Sequence, residues 1–242
     1  MRYALISDIH GNLEALEAVL RALSKERIDG YLCVGDVVGY GADPALCIRR
    51  VKSLEPKALV AGNHDWGVLG LVGLGYFNEY AREAVIWTKR VLSPDELGYL
   101  KSLRLIEEGK RFLLVHGSLE EPAEFNYILN SNDAGPTLKL LEKPVCFVGH
   151  SHVAGIYSLV NGKIEYINSP KAMLDYGERY VVNVGSIGQP RDRDPRASYA
   201  IYDEEAGMVE IKRTAYDIRA AAEKILTAGL PKQLAARLYE GR

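Results

Sequence analysis

The chain is poor in the features that mark several protein classes. It holds only 3 cysteines in 242 residues, Cys33, Cys47 and Cys146, with no C-x-x-C spacing. An odd, scattered set supplies neither a disulfide framework nor a zinc ribbon. Cys33 and Cys146 lie in apolar, strand-like runs and read as small buried hydrophobes. An excess of one charge is missing as well: 30 Lys and Arg against 32 Asp and Glu leave a net charge of −2. A protein that grips nucleic acid by its backbone normally carries a basic excess, which releases counterions from phosphates. No uninterrupted apolar run approaches the roughly 20 residues of a membrane span. The short apolar run before Asp8 and His10 is too brief for a signal-peptide core. The cytoplasm is therefore the expected compartment. Repeats and Pro/Ser-rich linkers are absent, and a 48% apolar content excludes disorder as the main state. One domain over 1–242 is expected.

What is present alternates strand and helix. Tyr3-Ala4-Leu5-Ile6 reads as a buried strand ending at Ser7-Asp8. Leu13, Leu16, Leu20 and Leu23 then share one helical face. Tyr31-Leu32-Cys33-Val34 ends at Gly35-Asp36, and Ala58-Leu59-Val60 ends at Gly62-Asn63-His64-Asp65. A helix capped at Asp43-Pro44 separates these two strands. This order implies parallel strands with right-handed crossovers, and such sheets place their sites at the carboxyl ends of the strands. The middle reads as helical, with Phe77, Tyr80, Ala84, Trp87 and Val91 at helical spacing and a capping box at Ser93-Pro94-Asp95-Glu96. The glycine-rich apolar stretch 66–76 suggests either a helix interrupted near the site or a contact between copies of the chain. The second half reads as more β, with Asn161-Gly162 marking a hairpin and Ala206-Gly207 another turn. The C-terminal stretch from Asp217 is helical. Two packed sheets with helices outside make four layers.

All 5 histidines, His10, His64, His116, His150 and His152, lie just beyond apolar strand-like runs. Asp8-x-His10 and His150-x-His152 place side chains at alternate positions, which on a strand point the same way and can reach one cation. Asp36 and Asn63 end two further strands. Taken singly, each signal has a bland reading: 62–65 as a polar turn, His116 as a satisfied core histidine. Jointly they are hard to explain as packing. Oxygen and imidazole donors without thiolate suit manganese, iron, zinc or similar ions better than calcium or structural zinc. The set exceeds what one tetrahedral ion needs, and a pair of ions sharing Asp36 would use all of it.

Asp8-Ile9-His10-Gly11-Asn12, Gly35-Asp36, Gly62-Asn63-His64-Asp65, Val115-His116-Gly117 and Gly149-His150-Ser151-His152 resemble, in order, the motifs of the calcineurin-like metallophosphoesterases. The stretch around Asn183-Val184-Gly185-Ser186 and Arg191 to Arg196 is similar to the small bacterial and archaeal members. The resemblance implies an α/β fold, a four-layer αββα sandwich of two mixed sheets flanked by helices. It implies one metal on Asp8, His10, Asp36 and His152 and a second on Asp36, Asn63, His116 and His150, with Asp36 the bridge. The metals would be two divalent or trivalent transition-metal ions, manganese first, with iron, zinc, nickel or cobalt as alternatives. A hydroxide activated by them would attack phosphorus. His64 is matched to the proposed general acid, and Asp65 is expected to hold its imidazolium. The implied substrates are small phosphorylated compounds, nucleotides among them: phosphodiesters, dinucleoside polyphosphates or phosphomonoesters. The Ser/Thr phosphoprotein phosphatase branch, which includes the bacterial symmetrical dinucleoside-tetraphosphate hydrolases, carries an arginine soon after the bridging aspartate, and the segment Asp36 to Gly41 lacks it. Asn12, Tyr40, Arg191 and Arg193 are the candidate substrate contacts. The alternatives are a Ser/Thr phosphoprotein phosphatase and a catalytically inactive scaffold. Association into homo-oligomers stands as a further expectation.

Overall fold

In the computed structural model, which describes residues 1–242, strand β1 (Arg2–Ile6) is buried on both faces. Its pleat sends Ala4 and Ile6 into one core and Tyr3 and Leu5 into another. β1 pairs in parallel with β2 (Gly30–Cys33), and β2 with β3 (Ala58–Leu59), as the alternating pattern predicts. On its other edge β1 runs antiparallel to β11 (Ala197–Asp203). β11 forms a hairpin with β12 (Met208–Thr214), and β9 (Lys171–Met173) closes this six-stranded sheet. The second six-stranded sheet has the order β4 (Ile106–Glu108), β5 (Phe112–Val115), β6 (Val145–Val148), β10 (Arg179–Asn183), β7 (Gly155–Val160), β8 (Lys163–Ile167). The β7–β8 hairpin turns at Asn161-Gly162, where both residues take left-handed φ, 51° and 77°.

Leu5, Leu32, Phe147, Val182 and Tyr202 form the core between the sheets. The outer face of the first sheet carries α1 (Leu13–Leu23), α2 (Pro44–Ser53), α4 (Glu79–Val91), α7 (Ile218–Thr227) and α8 (Lys232–Glu240) through Leu16, Val51, Ala84, Ile225 and Leu234. The outer face of the second sheet carries α6 (Ser131–Leu140) through Ala134 and Leu138. The four expected layers are therefore present. No helix is long and apolar enough to cross a membrane. In the 66–76 stretch, α3 (Asn63–Leu69) stops at left-handed Gly70, and a short turn at Leu74–Tyr76 leads to Phe77 and α4. This is the glycine-interrupted helix near the site. α5 (Pro94–Lys101) starts with the Ser93–Glu96 capping box.

The carboxyl ends of β1, β2, β3, β5 and β6 open onto one edge of the sandwich. Backbone bonds lace their loops together: Asp8 N–H to Gly35 O (3.0 Å), His10 N–H to Asp36 O (3.0 Å) and Gly149 N–H to His116 O (2.9 Å). The loop from β10 to β11 joins them, with Ile187 N–H on Ser7 O (3.0 Å) and Gly188 N–H on Asp8 O (2.9 Å).

Candidate metal centre

Five residues at these loop ends, Asp8, His10, Asp36, His150 and His152, hold left-handed backbone, with φ of 51°, 49°, 51°, 64° and 59°. This corrects the expected strand geometry, since β1 stops at Ile6 and β6 at Val148. Asp8 and His10 do converge, with His10 Nε2 3.7 Å from Asp8 Oδ1, but a left-handed turn brings them together. His150 and His152 diverge. His152 Nε2 stands 3.1 Å from Asp8 Oδ1 and 3.0 Å from His10 Nε2, whereas His150 groups with Asp36 and His116. Non-glycine residues held left-handed cost about 1–3 kcal/mol each, a strain typical of sites whose surroundings fix them.

The donor atoms fall into three sets, each within 4.8 Å: Asp8, His10 and His152; His10, Asp36 and His64; Asp36, His116 and His150. Asp36 belongs to two of them. Its Oδ1 accepts the His64 amide N–H at 2.8 Å, which leaves Oδ2 between His10 Nε2 (3.6 Å) and His116 Nε2 (3.3 Å). Gly62 makes room for this carboxylate, because a Cβ there would overlap Asp36 Oδ1.

The imidazoles are aimed from behind. Nδ1 of His10, His116 and His152 donates to the carbonyls of Val38 (3.2 Å), Val34 (2.7 Å) and Gln189 (2.5 Å). Each such bond fixes the tautomer and turns the Nε2 lone pair inward. Asp36 Oδ2, Asn63 Oδ1, His116 Nε2 and His150 Nε2 are buried with no hydrogen-bond partner. A buried polar atom left unpaired costs about 1–3 kcal/mol, and the Asp36, His116 and His150 donors, grouped within 4.8 Å of one another, ask for a cation. Burial opposes the charge of Asp8 and Asp36, yet the surrounding histidines hold both well below the usual carboxylate range. Burial pushes His150 down to about 3 and His152 to about 4, so both stay neutral, as ligation requires. At His116 burial also works against charge, but Asp36 and Asp8 outweigh it and raise the ring to about 10. The same negative field attracts a metal ion.

His64 follows Asn63 in the first turn of α3, and burial above all holds its pKa well below the ordinary value. Its Nδ1 is buried and unpartnered, and its Nε2 meets the Tyr40 hydroxyl at 3.0 Å. The expected Asp65–His64 contact is not formed. Asp65 instead accepts the backbone N–H groups of Asp36 (2.9 Å), Val37 (3.1 Å), Val38 (3.3 Å) and Gly62 (3.0 Å). Successive amides around a left-handed residue make an anion-binding nest, and here the anion is the chain's own carboxylate. Asp65 therefore shapes the turn that carries Asp36. Asp65→Ala leaves these amides unpaired and should cost about 3 kcal/mol or more. Its rate loss should be the same for alkyl and p-nitrophenyl esters. Chemical denaturation and paired assays check this, and a variant as stable as the parent would refute it.

The candidate substrate contacts separate. Asn12 is occupied: its Oδ1 caps α1 on the Ala15 amide (3.1 Å) and its Nδ2 donates to Gly188 O (2.9 Å). Tyr40 is buried, its ring packed on His10 and His64 at 4.5 Å between centroids in both cases, so it offers no face to a base. Arg191 stands beside it, its Nη2 donating to the Tyr40 hydroxyl at 3.0 Å. The segment 36–41 lacks an arginine, but another loop brings one to it. Arg193 is exposed and left-handed, its amide bonded to Gly241 O (2.8 Å), and no hydrogen bond ties it to the site. Residues without a metal-type signature also contribute. The half-exposed Tyr127 stacks on His150 at 4.0 Å and 21°. Asn183 Nδ2 donates to Gly149 O (2.7 Å), and Ser186 Oγ to Asp8 O (2.8 Å). The sequence marks Asn183 and Ser186 only through the resemblance of the stretch 183–186, and it carries no signal for Tyr127.

Residues 1–207 match the calcineurin-like phosphoesterase superfamily domain. The chain is 41% identical to an uncharacterized protein of Methanocaldococcus jannaschii, over 99% of this chain and 98% of the relative. It is 39% identical to the crystal structure of a metallophosphoesterase from Sphaerobacter thermophilus, which it covers end to end (100% of both chains) with a TM-score of 0.88. A symmetrical bis(5'-nucleosyl)-tetraphosphatase of Coxiella burnetii is 31% identical over 56% of this chain, a stretch that spans 48% of that relative. A family match of this length, with full-length likeness to a metallophosphoesterase, places the chain in the calcineurin-like phosphoesterase superfamily as a metal-dependent phosphoric ester hydrolase.

Proposed function

We propose that Asp8, His10, Asp36 and His152 hold one cation and Asp36, Asn63, His116 and His150 a second, and that the centre hydrolyses small phosphodiesters, phosphomonoesters or dinucleoside polyphosphates. Asp36 Oδ2 carries this reading, since it lies buried and unpartnered between the His10 and His116 rings. Manganese is the first choice for this donor set, with iron, zinc, nickel and cobalt also suited to it. When bound, the pair would stabilise phosphoryl oxygens as Lewis acids and lower the pKa of a nucleophilic water. The chain aims the ligand rings through the Val34, Val38 and Gln189 carbonyls and keeps His150 and His152 neutral. His64 donates a proton to the departing oxygen, and no covalent phosphoenzyme is needed. Burial depresses its pKa, and a substrate phosphate beside it acts in the opposite direction.

Nucleotides are the favoured substrates. The rings of Tyr127, on His150, and Tyr76, beside the Phe77 that packs on His64, are 47% and 44% exposed. They offer flat apolar surface next to the centre. The match to the symmetrical tetraphosphatase supports a pyrophosphate-linked nucleotide. The reading takes 1–242 as one domain, since α7 and α8 share the core of α1. It sets the protein in the cytoplasm, where three free, buried cysteines stay reduced.

The test is a manganese-reconstituted panel of bis-p-nitrophenyl phosphate, dinucleoside tetraphosphates, phosphomonoesters and phosphopeptides. Metal-dependent turnover is expected, with kcat/KM higher for nucleotides than for phosphopeptides. Phosphopeptides turned over as well as the best nucleotide would make the protein a phosphoprotein phosphatase. Silence across the panel with both metals bound would make it a scaffold.

A further inference from the structure

A guanidinium is charged at any physiological pH, and removing it from water without a carboxylate partner is costly. Arg191 is partly withdrawn from water and has no such partner. Its Nε is buried with no hydrogen-bond partner. It joins none of the chain's ion pairs, although Asp192 and Asp194 close by are paired with Arg213 and Arg196. Its Nη2 donates to two neutral oxygens, Tyr40 Oη at 3.0 Å and Gln189 Oε1 at 3.3 Å. The loop that carries it is fixed to the centre: the Arg191 amide donates to His152 O (3.2 Å), and Gln189 O accepts His152 Nδ1 (2.5 Å). Tyr40 Oη in turn meets His64 Nε2 at 3.0 Å. The guanidinium thus stands two hydrogen bonds from His64, outside every candidate donor set.

We infer that Arg191 binds an anionic phosphoryl oxygen that a simple diester does not have. This deepens the hydrolase reading above and rests on it. The phosphorus of a diester carries two non-bridging oxygens, both of which a pair of cations would take. A monoester has a third, and a pyrophosphate link places further oxygens on the next phosphorus. The planar fork of an arginine matches such oxygens, and its unpaired charge is neutralised when they arrive. Tyr40, standing in the segment that lacks an arginine, holds the imported one in place. Arg191 therefore selects for terminal phosphates or polyphosphate chains over plain diesters.

Arg191→Met keeps the aliphatic stem and removes charge and donors. The kcat/KM for p-nitrophenyl phosphate or for a dinucleoside tetraphosphate should fall about 10- to 100-fold, the worth of a charge-assisted hydrogen bond. Hydrolysis of bis-p-nitrophenyl phosphate should be nearly unchanged. Calorimetric titration of the manganese-loaded protein with inorganic phosphate should show affinity weakened by a similar factor, with metal content retained. Loss on the monoester alone identifies the third oxygen of the scissile phosphate as the ligand. Loss on the tetraphosphate alone identifies the adjacent phosphate. Arg191→Lys keeps the charge without the fork and should show the same selectivity at smaller size, so it carries the comparison if the Met variant misfolds. Equal losses on diester and anion-rich substrates, or unchanged phosphate affinity with no loss on the tetraphosphate, would overturn the inference. A wild-type protein inactive on every ester would sink the hydrolase reading alone, and the phosphate titration would still decide the role of Arg191.

Discussion

Asp36→Asn should empty both halves of the proposed centre in one step. The His64 amide N–H claims one side-chain oxygen of residue 36, so an asparagine keeps its oxygen there and turns its NH2 to where Oδ2 now lies. That NH2 would then face His10 Nε2 and His116 Nε2, 3.6 and 3.3 Å from the present oxygen. A bridging anion becomes a donor aimed at the metal position, and the shared negative charge is gone. Bound manganese should fall for both sites. The rate should drop by at least about 10²–10³-fold, the usual cost of one preorganised charge-stabilising group, and further if no second ion is retained. Elemental analysis with a diester assay reads both quantities. Two tightly held ions and near-normal turnover would remove Asp36 from its bridging role.

His64→Ala should separate chemistry from metal binding. The imidazole is bonded to Tyr40, while its backbone amide, which the substitution keeps, serves Asp36. Both ions should stay. The rate on an alkyl ester should fall by about 10²–10⁴, the span of a general acid. The defect should shrink for a p-nitrophenyl ester, whose leaving group departs as a stable anion. Equal losses with full metal occupancy would make His64 a positioning group. Metal lost in step with activity would make it a support for the Asn63 turn.

Much of the fold could be read locally because buried strands such as Tyr3–Ile6 and Val145–Val148 are near-continuous apolar runs between polar turns. Edge strands β4 and β9 were not legible, being three residues each and largely exposed. Helix α6 escaped because Gly135 and Pro136 sit inside it and only Ala134, Gly135, Thr137 and Leu138 are buried. Sheet order is a long-range property: nothing near Ala197–Asp203 says that it pairs with β1 at the other end of the chain. The ligand candidates were visible as residue types at strand ends. Their directions were not, since left-handed φ at Asp8, His10, His150 and His152 overrides strand alternation. Asp65 was misassigned for a related reason. A carboxylate next to a histidine in sequence suggests a pair, whereas the turn at Asp36 offers it backbone amides it satisfies better.

Asp8, His10, Asp36 and Asn63 follow strands of one sheet, and His116, His150 and His152 follow strands of the other. The two sheets meet mainly through side chains, with backbone links only at the isolated Val60–Arg104 bridge and among the site loops. An ion held by both sets is therefore a rivet across the sandwich, and withdrawing it should let one sheet slide on the other before either frays. Resistance to unfolding then tracks the free metal concentration around the protein, rising by about 1.4 kcal/mol per site for each tenfold increase once the site is saturated. A cell that starves this protein of metal would loosen the scaffold along with the chemistry, and would expose the slackened loops to proteolysis.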